Sequence, residues 1–267
     1  MDLGIAGKVA LVIGGSKGMG LESARMLAAD GCRVAIVART EKDVDAAVEG
    51  IQAAGGEAIG VSADMNQQAE IERAVAEVTE SLGAPAIVIT QGNYHVRGYF
   101  DEITDYENFV DSYRVYTMSQ VYTLHAVLPA MKEAAWGRYV HIGSATAKEP
   151  LSLMQDKPHT VANATRPSTV GLLKSVADEY AQFGITINTI APGWIATEKG
   201  TSYLAANDGV ANEEQRRAWV TDKGVPAGRS GDPREIASTI AYLCSDLAGY
   251  ITGHYIAVDG GFHRSAF

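Results

Sequence analysis

Short apolar runs alternate with longer amphipathic stretches along almost the whole chain. The apolar runs are rich in valine and isoleucine, and they predict strands at Val9–Ile13, Val34–Ala38, Ala58–Val61, Ile87–Thr90, Tyr139–Ile142, Ile185–Ile190 and Tyr255–Val258. Most of these runs are apolar at nearly every position. That pattern is typical of parallel strands that are covered on both faces.

The stretches between the apolar runs have the periodicity of helices. The clearest are Gly18–Asp30, Glu41–Ala54, Gln67–Leu82, Tyr106–Ala135, Thr169–Phe183 and Asp232–Asp246. Strands alternating with helices predict an α/β fold, a doubly wound parallel sheet with helices on both faces. No linker or repeat interrupts residues 1–267, so we expect a single domain. The least regular stretches are 146–168 and 196–231, and loops of that length usually carry function.

Composition and charge narrow the class of partner. The 267 residues are 46% apolar and 20% charged, as in an ordinary globular protein. The 22 basic and 32 acidic residues leave a net charge of −10, which disfavours binding to nucleic acid or to an anionic membrane. There is no long apolar run and no basic leader, and Cys32 and Cys244 lie in no pairing motif. We therefore expect a cytoplasmic protein.

A glycine-rich segment joins the first predicted strand to the first predicted helix. Its glycines are Gly14, Gly15, Gly18 and Gly20, and the informative spacing is Gly14-x3-Gly18-x-Gly20. Glycine lets the backbone approach a pyrophosphate, and the N terminus of the next helix offers free N–H groups and the positive end of its dipole. Because the segment lies between a strand and a helix, it predicts a dinucleotide site rather than an ordinary tight turn.

The residues after the second strand indicate which dinucleotide binds. An NAD site has an acid there for the ribose 2′-hydroxyl, whereas this chain has Ala38 followed by Arg39. With Lys17 of the glycine segment, Arg39 would present two cations to a 2′-phosphate, which favours NADP over NAD. The alternative is that both are solvated surface charges. Glu41 is a nearby acid that would weaken the preference.

Two later segments complete a family pattern. They are IAPGWIAT at 190–197 and YITG with VDGG within 250–261. Together with the glycine segment they resemble the short-chain dehydrogenase/reductase family over nearly the whole chain. The resemblance implies a three-layer Rossmann-type fold with seven parallel strands and a small-molecule substrate. It also implies a homo-oligomer, usually a tetramer, in which the C-terminal strand packs against a neighbouring subunit.

The glycine segment and the resemblance together define an expected NADP site. Its residues come from the glycine segment and from the ends of several strands: Gly14, Ser16, Lys17, Gly18, Met19, Gly20, Arg39, Asp64, Met65, Gln91, Gly92, Arg166, Pro192, Gly193, Ile195 and Thr197. Asp64 is expected either to bond the adenine amine or to cap the helix that begins near Gln67. The resemblance implies that Thr197 contacts the nicotinamide carboxamide or the pyrophosphate.

The family's chemistry uses an Asn, a Ser, a Tyr and a Lys. The Tyr gives or takes a proton as hydride moves, the Lys lowers the Tyr pKa and holds the ribose, the Ser bonds the substrate oxygen, and the Asn anchors a water relay. Ser144 matches the Ser, but Tyr116 stands at the Asn position, Ala162 at the Tyr position and Arg166 at the Lys position. No tyrosine occurs between residues 139 and 180, so no shift of the alignment restores the phenol.

Another residue must therefore supply the proton if the protein reduces a carbonyl. Arg166 is permanently charged, so it can hold ribose hydroxyls or polarise an oxygen but is a poor proton shuttle. Tyr116 is the first candidate because its helix should face Ser144; the alternative is a place in the core or at a subunit interface. His159 is the second, or else a solvated loop histidine. Pro167 predicts that the helix starts near Arg166 or kinks there.

Three functions remain open. The first is NADP-dependent carbonyl reduction with a non-standard proton donor. The second is reduction of an activated C=C bond, in which Ser144 and Arg166 stabilise the enolate. The third is an NADP-binding protein without redox turnover, or a non-redox lyase. No spacing suggests a metal site, and Ser144 has no identifiable triad partners.

The substrate pocket is expected from 94–100, 146–163 and 196–225, where Asn163 and either Tyr94 or His95 could line it. The stretch 213–219 has the pattern of an amphipathic helix, either part of a lid over the substrate within 196–231 or a surface helix.

Overall fold

One parallel sheet runs through the molecule. The structure is a computed structural model that describes residues 2–92, 94, 96–150 and 158–265. Within these residues the strands are β1 (Val9–Ile13), β2 (Arg33–Ala38), β3 (Glu57–Ser62), β4 (Ile87–Thr90), β5 (Gly137–Ile142), β6 (Ile185–Pro192) and β7 (Tyr255–Val258). Their order is β3-β2-β1-β4-β5-β6-β7, and every neighbouring pair is parallel. The α/β prediction is confirmed, with each strand at its expected place.

Helices cover both faces of the sheet. They are α1 (Gly18–Ala29), α2 (Glu41–Ala53), α3 (Gln68–Leu82), α4 (Glu107–Tyr113), α5 (Ser119–Glu133), α6 (Thr160–Tyr180), α7 (Glu198–Asp208), α8 (Glu213–Asp222) and α9 (Pro233–Leu243). Successive strand residues point to opposite faces, so Val12 packs with α1, α2 and α9 while Leu11 packs with α3, α5 and α6. No helix in the described ranges is both long and apolar enough to cross a membrane.

The sheet order determines where a ligand can bind. The strand β1 pairs with β2 on one side and with β4 on the other, so the chain reverses its direction of progress across the sheet at this point. Ligands of open parallel sheets bind in the crevice outside the carboxyl ends of the strands at such a reversal. The glycine segment follows β1 and therefore lies at this crevice.

The long helix predicted at Tyr106–Ala135 is divided. The α4 and α5 helices are joined by a π-helical segment, Arg114–Met118, in which Tyr116 is the central residue. A π-helical turn is wider than an α-helical one and is frequent at functional sites. The hydrophobic period of the sequence does not distinguish the two.

The prediction that a helix starts near Arg166 is wrong. The α6 helix begins at Thr160 and continues through Pro167. Proline lacks one N–H group, yet neighbouring hydroxyls bond the backbone beside it: Thr165 Oγ1 donates to the Val161 carbonyl at 3.0 Å and Ser168 Oγ donates to the Thr165 carbonyl at 2.6 Å. The same two hydroxyls bond Ser112 at 2.7 Å and Thr117 at 2.6 Å on the neighbouring segments, so tertiary contacts hold this turn in the helix. A kink at this point stays a prediction.

Two stretches that were expected to be irregular contain helices. The first turns of α6 lie within 146–168, and both α7 and α8 lie within 196–231. The α8 helix confirms the amphipathic pattern at 213–219. Its N-cap Asn212 forms a capping box with Gln215, which stabilises a short helix outside the core.

Candidate active site

A cleft of about 1120 Å³ opens beyond the carboxyl ends of β1 to β4. Many residues of the expected NADP site line it: Gly14, Ser16, Lys17, Gly18, Met19, Arg39, Asp64, Met65, Gln91 and Thr197. Other members of that set lie outside the lining: Gly20, Gly92, Arg166, Pro192, Gly193 and Ile195. The structure thus assembles the adenine and pyrophosphate end of the expected site.

Backbone approach explains several of these glycines. Gly14 has φ +80°, and a Cβ there would lie 2.7 Å from the Gln91 carbonyl oxygen. A Cβ on Gly20 would lie 2.6 Å from the Gly14 carbonyl oxygen. The α1 helix has no side-chain cap, so the N–H groups of its first turn are available to an anion. The glycines thus let the segment pack closely against β4 and against itself, and the uncapped N–H groups at the start of α1 fit a pyrophosphate.

Two glycines outside the lining are explained by packing. A Cβ on Gly92 would lie 2.8 Å from the Val115 carbonyl oxygen, and one on Gly193 would lie 2.8 Å from the Asp259 Cα. Gly92 therefore lets the π-helical segment approach β4, and Gly193 lets the C-terminal segment approach β6. Their expected contact with the cofactor stays a prediction.

The charges around Lys17 differ from the expectation. Lys17 Nζ forms an ion pair with Asp43 Oδ2 at 2.8 Å, and this hydrogen bond raises the Lys17 pKa. The expected acid was Glu41, but the α2 helix directs Asp43 into the cleft instead. Lys199 of α7 also lines the cleft, although no sequence motif indicated it. Burial, and secondarily the charge of Arg39, lower the Lys199 pKa.

Asp64 does not cap α3. Its Oδ1 accepts a hydrogen bond from the Asn66 backbone N–H at 3.0 Å, and the helix is preceded by Gln67 as N-cap. Asp64 lines the cleft, so of the two expectations for this residue a hydrogen bond to the adenine amine stays a prediction.

Arg166 connects the other end of the site. Its Nη1 donates to Ser144 Oγ at 3.1 Å and to Thr146 Oγ1 at 2.6 Å. Its Nη2 donates to Tyr116 Oη at 3.0 Å. Three of the four candidate catalytic residues, Ser144, Arg166 and Tyr116, are therefore in one hydrogen-bonded cluster. Thr146 was missed because a lone hydroxyl in an irregular stretch carries no pattern.

The Tyr116 ring lies beside the position that lost its tyrosine. Val115, Tyr116 and Ala162 form a buried cluster with Tyr94 packed against it, and Tyr116 is only 4% exposed. Tyr116 Oη donates to the Tyr94 carbonyl at 3.1 Å and accepts from the Tyr94 N–H at 3.2 Å. The small side chain of Ala162 leaves room for a phenol that enters from the neighbouring helix.

The C-terminal segment supports the loop that carries Ser144. Tyr255 Oη donates to the Ser144 carbonyl at 2.6 Å, and burial raises the Tyr255 pKa far above its usual range. His263 lies between Asp259 and the Ala145 carbonyl, with Nε2 3.0 Å from that oxygen. The motif at 250–261 thus acts on the site through the backbone of the Ser144 loop, a role that the sequence did not indicate.

His159 lies at the start of α6. It forms an isolated β-bridge with Gly98, whose N–H donates to the Pro158 carbonyl at 3.1 Å. The side-chain hydrogen bonds of Arg166 are to Ser144, Thr146 and Tyr116, so they do not bring His159 into this cluster. The expected pocket residues His95 and 151–157 lie outside the described residues. No group of three or more His, Cys, Asp or Glu side chains suited to a metal ion occurs in the described ranges.

Comparison with known proteins identifies the family. A family model described as Enoyl-(Acyl carrier protein) reductase matches residues 14–263. The chain is 34% identical over 266 residues to 3-oxoacyl-(acyl-carrier-protein) reductase FabG from Vibrio harveyi, a match that covers 98% of this chain and 99% of that protein.

Solved structures with the same fold include L-sorbose reductase from Gluconobacter frateurii in complex with NADPH and L-sorbose. It has a TM-score of 0.90 and 27% identity, and the match covers 99% of this chain and 100% of that one. An NADPH-bound short-chain oxidoreductase from Pseudomonas aeruginosa PAO1, described as containing an atypical catalytic center, has a TM-score of 0.89 and 26% identity over 97% of this chain and 98% of that one. The chain belongs to the short-chain dehydrogenase/reductase family.

Proposed function

We propose that this protein is an NADPH-dependent oxidoreductase that reduces a carbonyl group, with Tyr116 as the proton donor. The observation that supports this most directly is the Arg166 guanidinium, which bonds Ser144 Oγ at 3.1 Å and Tyr116 Oη at 3.0 Å. The Ser144 hydroxyl, which would bind the substrate oxygen, and the Tyr116 phenol are thereby bonded to the same guanidinium group. The family places the same two functions around its Tyr and Lys.

The cofactor proposal rests on the cleft and on the neighbours. Arg39 at the end of β2, where NAD sites have an acid, favours a 2′-phosphate, and the L-sorbose reductase and the Pseudomonas oxidoreductase were both solved with NADPH. NADPH supplies the hydride when bound. The glycine segment and the start of α1 would hold its pyrophosphate, and Arg39 its 2′-phosphate.

The chemistry assigned to the residues is as follows. Ser144 and Arg166 donate hydrogen bonds to the substrate oxygen, which gains negative charge as the carbonyl carbon accepts hydride. Tyr116 gives its O–H proton to that oxygen, so an alcohol is formed and a phenolate remains. Arg166 and the Tyr94 N–H stabilise this phenolate until solvent returns the proton. The permanent charge of Arg166 suits this task better than proton transfer itself.

Reduction of an activated C=C bond is a second candidate. Arg166 Nη1 lies within reach of two hydroxyls, Ser144 and Thr146, and such a donor cluster can stabilise an enolate oxygen without a phenol. The matching family model is itself described as an enoyl reductase. In this reaction hydride adds to the β-carbon rather than to the carbonyl carbon, and the enolate that forms takes a proton from solvent at its α-carbon.

Isotope labelling separates these candidates. NADPH carrying deuterium at the transferred position is incubated with the protein and a panel of ketones, quinones and enones, and the products are analysed by mass spectrometry and NMR. Deuterium on the carbinol carbon supports carbonyl reduction, and deuterium on the β-carbon supports C=C reduction. Tight NADPH binding without turnover on any class would contradict both and favour an NADP-binding protein without redox activity.

We also propose a single domain in which 196–231 acts as the lid, because Thr197, Glu198, Lys199 and Ser202 line the cofactor cleft. A homo-oligomer, dimer or tetramer, is proposed for the assembly, because β7 is an edge strand of the sheet that the described residues form and Tyr250, five positions before it, is fully exposed.

A further inference from the structure

Two cations from distant parts of the chain lie near each other in the cofactor cleft. Arg39 follows β2, and Lys199 is the second residue of α7; both line the cleft. Burial is the main reason that the Lys199 pKa is lowered, and the charge of Arg39 is the second. Among the described residues neither side chain has a hydrogen bond or an ion pair. Like charges in such an arrangement indicate a site for an anion.

The neighbouring cation behaves differently. Lys17 is paired with Asp43 at 2.8 Å, and Glu198 adds a second negative charge that favours its charged form. The consecutive residues Glu198 and Lys199 therefore lie in different electrostatic surroundings: Glu198 favours the charged form of Lys17, whereas Arg39 disfavours that of Lys199. Asp43 and Glu198 thus offset the charge of Lys17, and among the residues that the structure describes no acid forms an ion pair with Arg39.

We propose that Lys199 is a specificity-determining residue that binds the 2′-phosphate of NADP together with Arg39, so that this phosphate holds the start of α7 over the cofactor. The proposal rests on the NADP-dependent function proposed above. A phosphomonoester carries a charge of about −2 and several acceptor oxygens. Placed between Arg39 and Lys199, it turns their mutual repulsion into two charge-assisted attractions.

The local structure gives Lys199 a defined position. Thr197 is the N-cap of α7, and its Oγ1 accepts from the Gly200 N–H at 3.1 Å. Its Cγ2 lies against the glycine segment, 3.4 Å from where a Cβ on Gly18 would be. The start of α7 is thus packed on the glycine segment. Lys199 lies two positions after Thr197 in the first turn of this helix, and it therefore lines the cleft. NADH lacks the phosphate and cannot make this contact.

The test isolates the 2′-phosphate. Isothermal titration measures binding of adenosine 2′,5′-bisphosphate and of adenosine 5′-monophosphate to the wild type and to Lys199→Gln, Lys199→Arg and Arg39→Gln. Lys223→Gln is the matched control, since Lys223 follows α8 and lies over the Trp219 ring. We expect Lys199→Gln to weaken bisphosphate binding about 10- to 100-fold, the effect of one charged hydrogen bond, with monophosphate binding unchanged. Lys199→Arg should restore most of it.

Hydrogen exchange tests the lid. NADPH should slow amide exchange across 198–208 more than NADH does in the wild type, and this difference should vanish in Lys199→Gln. Unchanged bisphosphate affinity in Lys199→Gln overturns the proposal. If Arg39→Gln still loses the bisphosphate preference, the NADP-dependent function stands without the lid contact. Equal affinity of the wild type for the two probes means that the NADP preference itself is wrong.

Discussion

Replacing Tyr116 by phenylalanine removes one oxygen from the centre of the proposed mechanism. That oxygen accepts from Arg166 Nη2 at 3.0 Å and from the Tyr94 N–H at 3.2 Å, and it donates to the Tyr94 carbonyl at 3.1 Å. Arg166 still donates hydrogen bonds from Nη1 to Ser144 and Thr146 in this variant. The substitution therefore deletes the phenolic proton while it leaves the donors for the substrate oxygen in place.

The magnitudes separate a chemical role from a structural one. Leaving buried hydrogen-bond partners without the Tyr116 oxygen costs about 1–3 kcal/mol of folding stability. A positioned proton donor contributes roughly 10²- to 10⁴-fold to the rate, about 2.7–5.4 kcal/mol in the activation free energy. A structural role alone predicts a loss of stability with kcat changed by less than about tenfold.

The assay measures three quantities on each variant: kcat for NADPH oxidation with a substrate from the panel, NADPH affinity by fluorescence, and unfolding by urea. Tyr113→Phe is the matched control, because it deletes a hydroxyl from an exposed tyrosine of α4, one turn away. We expect kcat to fall by two orders of magnitude or more in Tyr116→Phe alone, with NADPH affinity unchanged. A rate close to the wild type, with a pH profile and solvent isotope effect also unchanged, would refute the assignment of Tyr116 as donor.

Three further outcomes are expected. Arg166→Lys should lower kcat ~10-fold or more, because a single ammonium group cannot bond Ser144 and Tyr116 together as the planar guanidinium does. Undiminished activity in steady-state kinetics would contradict this. Ala162→Tyr should destabilise the fold by about 1–3 kcal/mol without a gain in activity, since the Tyr116 ring packs against Ala162; a large gain on generic ketones in the same assay would show that the site has room for both rings. Burial lowers the pKa of His141 to about 4 from 6.5. Between these two pH values the unfolded chain binds a proton at His141 and the native state does not, so the unfolding free energy should fall as pH drops from about 6.5 towards 4. An NMR titration of His141 with a midpoint near 6.5 would be incompatible with this.

The cofactor end of the site was predictable because its signals are local. The glycine segment combines tight backbone approaches, such as Gly20 against the Gly14 carbonyl, with its place between β1 and α1. Parallel strands buried on both faces need apolar side chains at every position, and this made the fully buried strands β1, β4, β5 and β6 recognisable. The absence of a tyrosine between residues 139 and 180 is a property of the sequence itself.

The contacts that give the residues their roles required the tertiary structure. Arg166 and Tyr116 are 50 positions apart, and they meet because α6 packs against the π-helical segment beside a small residue at 162. The same packing carries α6 through Pro167, which contradicts a helix start at this point.

Lys17 pairs with Asp43, and Arg39 and Lys199 line the same cleft, although their separations along the chain carry no pattern. The strands and the glycine segment between β1 and α1 could be recognised from the amino-acid sequence, because they depend on local periodicity and backbone freedom. Only the tertiary structure decided the partners of each charge and hydroxyl, because those depend on which helices pack together.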